Sequence, residues 1–302
     1  MTHTLDALQT AARLPWLGLV NEVALLLRDS NVNIPTRLVQ PLGRGASLFV
    51  MPAIDSQTAI TKLITFTPAN AGTSRPTIQG DVIVFDISTG QRRLVLDGPT
   101  VTARRTAAVS VLAAQRLAHD TQAPLLIVGA GVQGKAHLEA FAAVLGTRQV
   151  MIASRSAQSA DTLAQHAKSL GLQAQVVSNA DAALASCPLA VTCTPAGSIV
   201  LSAVPRQDAF ISAVGAFTPS MAELSPGLCR HIADYGTVWL DTADAQHEAG
   251  DLLQAGLNLQ AMATLGDVVR QHTAKPAGPV LFKSCGWAGW DLAAARLALR
   301  HA

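Results

Sequence analysis

Apolar residues spaced three and four apart predict helix over residues 5–30, with Pro15 marking a break. From Thr36 the pattern changes to short alternating runs, which predict strands at 46–51, 58–66, 81–85 and 92–96. Asp86-Ile-Ser-Thr-Gly90 supplies a hairpin connection between the last two. Helical spacing returns at Thr100 and continues to about Ala118. A different rhythm begins at Pro124. Residues 125–128 form a continuous apolar run, as expected of a strand covered on both faces, and a glycine-rich turn and a helix to about Leu145 follow. Strand-like segments recur near 149–153, 173–177, 189–193, 209–214 and 237–240, with helix-like segments between the earlier ones. An Ala/Leu-rich helix closes the chain at 286–299. The expected fold is α/β, a strand-rich N-terminal domain followed by a doubly wound parallel sheet.

The chain has 302 residues, 49% of them apolar, with a mean hydropathy of +0.31, enough for a sizeable core, which excludes disorder. It carries 22 Lys and Arg against 20 Asp and Glu, a net charge of +2, with no dense basic cluster, so no nucleic-acid partner is expected. Cys187, Cys193, Cys229 and Cys285 show no C-x-x-C spacing. Neither a zinc site nor a disulfide framework follows, and a reducing compartment fits. The N-terminus lacks the basic start and long apolar stretch of a signal peptide, and no apolar run approaches the ~20 residues needed to span a bilayer. A soluble cytoplasmic protein with no membrane partner is expected.

Gly129-Ala-Gly-Val-Gln-Gly134 leaves a buried strand and opens a helix, so backbone N–H groups and the helix dipole face a pyrophosphate. Gly129 allows the tight turn, Gly131 lets phosphates approach, and Gly134 lets helix pack on strand. Selectivity for NAD calls for an acid about 20 residues further on, to bind the ribose 2′-OH. None sits there; Ser154-Arg155-Ser156 suits a 2′-phosphate instead, and NADP(H) is expected.

On the strand 58–66, alternation places Ile60, Lys62, Ile64 and Phe66 on one face, so Lys62 falls among apolar residues. An unpaired buried ammonium costs several kcal/mol, which implies an anionic partner, either an internal ion pair or a visitor. On the helix from Thr100, Arg105 shares a stripe with Val101, Ala108, Val109 and Leu112, near an N-terminus that prefers anions. Arg44, in the Gly43-Arg-Gly45 turn, is a third cation. With no fixed acid assigned to them, the three are expected to form a carboxylate pocket. Together with a dinucleotide site, that predicts hydride transfer to or from a small carboxylic acid.

The segments Leu96-Asp-Gly-Pro-Thr-Val-Thr-Ala-Arg-Arg-Thr-Ala-Ala108, Val128-Gly-Ala-Gly-Val-Gln-Gly134, Ala213-Val-Gly-Ala-Phe-Thr-Pro219 and Leu281-Phe-Lys-Ser-Cys-Gly286 resemble the ornithine cyclodeaminase/μ-crystallin family, in the family's order and over nearly the whole chain. The resemblance implies a homodimer and two domains. Residues 1–118 with 285–302 would form an α+β, strand-rich substrate-binding and dimerisation domain, and residues 119–284 an NADP-binding Rossmann domain. It further implies that Arg44, Lys62 and Arg105 bind the substrate carboxylate. Thr77 would lie beside the nicotinamide. Val132, Gln133, Ser154, Thr194, Val214 and Ser220 would line the cofactor, with Arg105 and Ser284 also reaching it.

One position departs from the cyclodeaminase pattern. Where those relatives carry an acid/base aspartate, this chain has Phe217, which moves no proton and suits a hydrocarbon ring as a substrate-binding residue. The Gly-Ala-Phe-Thr-Pro variant is similar to relatives that reduce cyclic ketimines. The implied activity is reduction of Δ1-pyrroline-2-carboxylate to L-proline, and of Δ1-piperideine-2-carboxylate to L-pipecolate as well, with NADPH and more weakly with NADH. Lys62 is the ionisable candidate for proton donor, its pKa lowered by burial and by two guanidiniums; a bound water is the competing donor. An alanine or N-alkyl amino acid dehydrogenase of the same fold, and a μ-crystallin-like NADPH-dependent ligand-binding protein, are the rival readings. His137 is read as a surface or packing residue, Asp241 as a cap for a following helix, and Cys193 as a small buried apolar group.

Overall fold

The computed structural model describes residues 3–70, 72–195, 197–271 and 275–301, which divide into two compact units. The first combines the chain up to Arg105 with the stretch from Trp287 onward, and the second is Thr106–Gly286. The expected boundary at 118/119 moves back into a helix, and the one at 284/285 moves on to 286/287.

The first unit opens with strand β1 (His3–Thr4) and helix α1 (Ala7–Ala12). A reciprocal cap starts α1: Gln9 N–H donates to Asp6 at 2.8 Å and Asp6 N–H to the Gln9 side chain at 3.1 Å. Pro15 breaks the helical stretch where expected and serves as N-cap of α2 (Trp16–Leu26), its fixed φ fitting the helix start. Five strands follow: β2 (Leu38–Gly43), β3 (Ala46–Ile54), β4 (Thr58–Phe66), β5 (Ile78–Asp86) and β6 (Arg92–Asp97). Their order is β1-β6-β5-β4-β3-β2, antiparallel except for β1 on β6. β2 was not anticipated from the sequence. It is exposed along its whole length, so no alternation marks it, and its Pro41 is tolerated because it lies at the sheet edge. Helix α3 (Gly98–Leu117) starts on Asp97, whose carboxylate accepts from Thr100 N–H at 2.8 Å and from the Thr100 hydroxyl. The last helix, α10 (Ala288–Arg300), packs on α2, β3 and β4. Gly18 makes its approach to α2 close: a Cβ there would sit 3.4 Å from Leu297.

The second unit holds β7 (Leu125–Val128), α4 (Val132–Ala140), β8 (Gln149–Ala153), α5 (Ala157–Ser169), β9 (Gln173–Val177), α6 (Ala180–Leu184), β10 (Leu189–Thr192) and β11 (Phe210–Ala213). They are followed by α7 (Pro226–Tyr235), β12 (Thr237–Leu240), α8 (Gly250–Gln254), α9 (Leu265–Gln271) and β13 (Val280–Lys283). The sheet order is β12-β13-β11-β10-β7-β8-β9 with every pair parallel, the doubly wound Rossmann arrangement. From β7 the chain winds out to β9, then crosses back to β10, so the switch point lies between β7 and β10. Ligands of such sheets bind at the carboxyl ends of the strands there. Leu126, Ala190, Ile211, Leu240 and Leu281 from five strands share one core with Leu228 and Ile232 of α7.

Candidate active site

Pleating of β4 turns Ile60, Lys62 and Ile64 inward, and Lys62 is only 1% exposed. Its neighbours across the ladder are Met51 and Val82, both apolar. The fixed acid that the sequence reading did not find is Asp291 of α10, which is 0% exposed. Its Oδ2 lies 2.7 Å from Lys62 Nζ and its Oδ1 lies 3.2 Å from Arg105 Nε, the latter brought in by α3 and buried. The expectation that both cations lack a built-in counter-charge is therefore corrected. One carboxylate serves two cations, and the buried group keeps one surplus positive charge. Burial pushes the Lys62 ammonium down to about 8, with Asp291 opposing this and the charges of Arg105 and Arg37 adding to it. Asp291 had a signal of its own, as the one acid in the apolar run 286–299.

Arg44 is not brought to this group. It sits in the exposed β2–β3 turn with a left-handed φ of 52°. Met51, the partner of Lys62, lies five steps along β3 from the turn-side Ala46, roughly 17 Å at ~3.4 Å per residue. The arginine whose charge reaches Lys62 is Arg37, half-buried just before β2, with its guanidinium 6.0 Å from the Phe49 ring centre. Arg104 turns away, as its spacing from Arg105 implies, stacking 3.7 Å from the Trp16 ring and donating to Leu14 O. Thr77 is half-buried just before β5 and accepts at its carbonyl from Thr67 N–H at 2.8 Å.

In the second unit the three glycines differ in the way the motif requires. Gly129 has φ 114°, and a Cβ on it would lie 2.7 Å from Cys193 O. A Cβ on Gly134 would lie 2.0 Å from Gly129 O, so the helix packs too closely on the turn for any side chain. Gly131 is the N-cap of α4, and a Cβ there meets nothing within 4 Å. Open space before free N–H groups of a helix start fits a pyrophosphate. Val132 is exposed and Gln133 half-buried in the first turn. After β8, Ser156 caps α5 by accepting from Ser159 N–H at 3.2 Å, Ser154 Oγ accepts from Ser156 N–H, and Arg155 is exposed between them.

Beneath the ends of β10 and β11 lies a buried group that sequence reasoning missed. Glu223 accepts from Thr194 N–H at 2.6 Å, the Thr194 hydroxyl at 2.8 Å, Gly215 N–H at 2.7 Å and the Thr192 hydroxyl at 2.9 Å. Asp251 accepts from the backbone N–H groups of Glu223 and Leu224, and its Oδ2 lies 2.7 Å from Lys283 Nζ at the end of β13. Burial raises the Glu223 pKa, and Lys283 is held above its ordinary value by its acid neighbours in spite of burial. Val214 is tied to β10 by donating to Thr192 O. Phe217 packs half-buried against the core, and Ser220 is exposed, its hydroxyl 3.2 Å from that of Thr218.

Asp241 differs from its expected role. Instead of capping a helix, it is buried and accepts from the Ser284 hydroxyl at 2.8 Å, Cys285 N–H at 3.0 Å and Gly286 N–H at 2.9 Å. His137 is fully buried, with Nδ1 2.8 Å from Gln133 O and Nε2 2.9 Å from the Ser110 hydroxyl. A carbonyl only accepts, so Nδ1 carries the proton and Nε2 accepts from Ser110, which in turn accepts from Ser212. Cys193, expected as a small buried apolar group, is half-buried and its thiol donates to Gly129 O at 3.3 Å; burial raises its pKa well above the ordinary value.

The ornithine cyclodeaminase/mu-crystallin family model matches residues 17–301. A Δ1-pyrroline-2-carboxylate reductase of Burkholderia multivorans is 39% identical over 301 residues, 98% of this chain and 95% of the relative. A Δ1-pyrroline-2-carboxylate/Δ1-piperideine-2-carboxylate reductase of Azospirillum brasilense is 38% identical, covering 97% and 94%. Among solved structures, Δ1-pyrroline-2-carboxylate reductase of Thermococcus litoralis, in complex with NADH and L-proline, superposes with a TM-score of 0.90 at 22% identity, covering 99% of this chain and 98% of that one. This chain belongs to the ornithine cyclodeaminase/mu-crystallin family.

Proposed function

We propose that this chain is a cyclic ketimine reductase, converting Δ1-pyrroline-2-carboxylate to L-proline and its six-membered homologue to L-pipecolate, with NADPH as cofactor. The observation that carries the reading is the buried Lys62–Asp291–Arg105 group, whose surplus positive charge complements one carboxylate. The names of the relatives at 38–39% identity support the same substrate class. Arg105 grips the substrate carboxylate and fixes the ring, a positioning effect worth up to ~7–11 kcal/mol. When bound, the nicotinamide supplies the hydride that reduces the C=N carbon. Lys62, at about 8, is mostly protonated at neutral pH and gives a proton to the imine nitrogen, directly or through a water. Phe217 takes the place of an acid/base group and offers an apolar surface to the ring.

The open space at Gly131 and the start of α4 suit the pyrophosphate, and Ser154, Arg155 and Ser156 suit a 2′-phosphate, since no acid ends β8. Thr194, Val214, Ser220 and Ser284 complete the proposed cofactor surface of the second unit, and Thr77 and Arg105 are the residues of the first unit proposed to act on the cofactor. A homodimer is part of the reading. The face of the first sheet opposite Lys62 carries Leu38, Val50 and Leu63 in one register row, and Leu38 and Leu63 are exposed, a surface suited to a second copy. A cytoplasmic location accords with the four free cysteines.

The test is NADPH oxidation with five- and six-membered cyclic imino acids, pyruvate plus ammonia or methylamine, and ornithine. The cyclic imines are expected to turn over fastest, at saturable rates. Faster turnover of pyruvate with an amine would make the chain an amino acid dehydrogenase instead, and binding of NADPH without any turnover would make it a ligand-binding protein.

A further inference from the structure

Two cations buried side by side repel each other, and neither water nor salt screens them there. In this fold β4 and α3 nonetheless deliver Lys62 and Arg105 to the same point, and α10 places one carboxylate between them. Each oxygen is used once, Oδ2 on Lys62 Nζ and Oδ1 on Arg105 Nε, and the acid has no exposure to solvent. The cross-strand neighbours of Lys62 are apolar Met51 and Val82, and among the described residues the charges that act on it are those of Asp291, Arg105 and Arg37. A second buried acid would neutralise the cluster, and none at all would leave two surplus charges.

We propose that Asp291 is a positioning and specificity-determining residue: it aligns Lys62 and Arg105 and limits the buried surplus to a single positive charge, the complement of a monocarboxylate. This rests on the ketimine-reductase reading for the identity of the substrate, but the charge argument does not need turnover. Asp291 touches neither substrate nor cofactor in this proposal and acts only through the two cations. It also opposes the burial that lowers the Lys62 ammonium, so its removal carries Lys62 further below about 8.

The experiment compares Asp291→Asn with the wild type on the full-length protein. Calorimetry at pH 5.5–6, where Lys62 keeps its proton in both proteins, reads binding of pyrrole-2-carboxylate and pyrrole-2,5-dicarboxylate, planar probes carrying one and two negative charges. The variant is expected to shift the preference toward the dicarboxylate by about tenfold or more. In turnover, the alkaline limb of kcat/KM is expected to move to lower pH by about one unit. A purely structural role would move the thermal midpoint and neither of these. An unchanged preference together with an unchanged limb overturns the proposal. The double variant Lys62→Met/Asp291→Asn restores a surplus of one, so its preference is expected to return to the wild-type ratio; it also serves if Asp291→Asn alone does not fold, and a shifted ratio in it overturns the proposal. Failure of the wild type to reduce the cyclic imines would sink the reaction while leaving the binding comparison in force.

Discussion

His137 offers a quantitative test of how the second unit is built. Burial holds the ring neutral and pushes its pKa from 6.5 down to about 4, against a small opposing effect of the Gln133 carbonyl. The unfolded chain therefore binds a proton near pH 6.5 that the folded chain refuses until about pH 4. Stability rises with pH across that window and is lost as pH falls through it. The full difference of 2.5 pH units corresponds to about 3 kcal/mol. By pH 5 about 2 kcal/mol of it is gone, with a slope near 1 kcal/mol per pH unit between pH 5 and 6. Reversible urea unfolding, followed by far-UV circular dichroism at pH 5.0, 5.5, 6.0 and 7.5, measures this on wild type and His137→Gln. Carboxylates titrate alike in both proteins, so the difference between their slopes isolates the imidazole. The variant is expected to be less stable at pH 7.5, because it breaks the Ser110–His137–Gln133 chain, and to lose less on acidification. Parallel pH profiles for the two proteins would refute a buried neutral His137.

Lys62→Met keeps the bulk of the side chain and removes its proton, and should lower kcat/KM for the cyclic imine by about 100-fold or more with the fold retained, as judged by circular dichroism. Near-normal turnover would exclude Lys62 from the reaction. Arg155→Asp replaces the proposed 2′-phosphate partner with an acceptor for a ribose hydroxyl, so the ratio of kcat/KM for NADPH over NADH should invert; an unchanged ratio removes the argument for NADPH. Gly134→Ala would drive a Cβ into the Gly129 carbonyl, displacing α4 from β7, and should cost about 1–3 kcal/mol in unfolding experiments along with weaker NADPH binding by fluorescence titration.

What the chain discloses by itself follows local periodicity. The continuous apolar β7, the glycines after it and the misplaced Lys62 on an alternating strand are all features of neighbouring residues, and each stands where its spacing implies. Arg44 and Arg37 show the opposite case. Both are loop arginines with no periodic context, and only the register of β2 on β3 tells which one is near Lys62. Glu223, Asp251 and Lys283 come from three separate stretches of chain and meet only through the fold, so no spacing announces them. His137 was within reach, since it shares a helix face with Phe141, four residues on, which also buries. Asp241 was misread because an acid at a strand end suggests a local cap, whereas its partners arrive with β13.

The carboxylate that quiets Lys62 and Arg105 sits in α10, which follows the second unit along the chain, so a ribosome adds it only after the whole of that unit. While the chain is being made, the whole of the second unit, contiguous from Thr106 to Gly286, emerges before the first unit has its missing piece. The earlier-made β4 and α3 each hold a cation that lacks the Asp291 carboxylate until α10 arrives. A nascent chain stalled before Trp287 would therefore carry a finished second unit and an unfinished first one, the reverse of the usual front-to-back order.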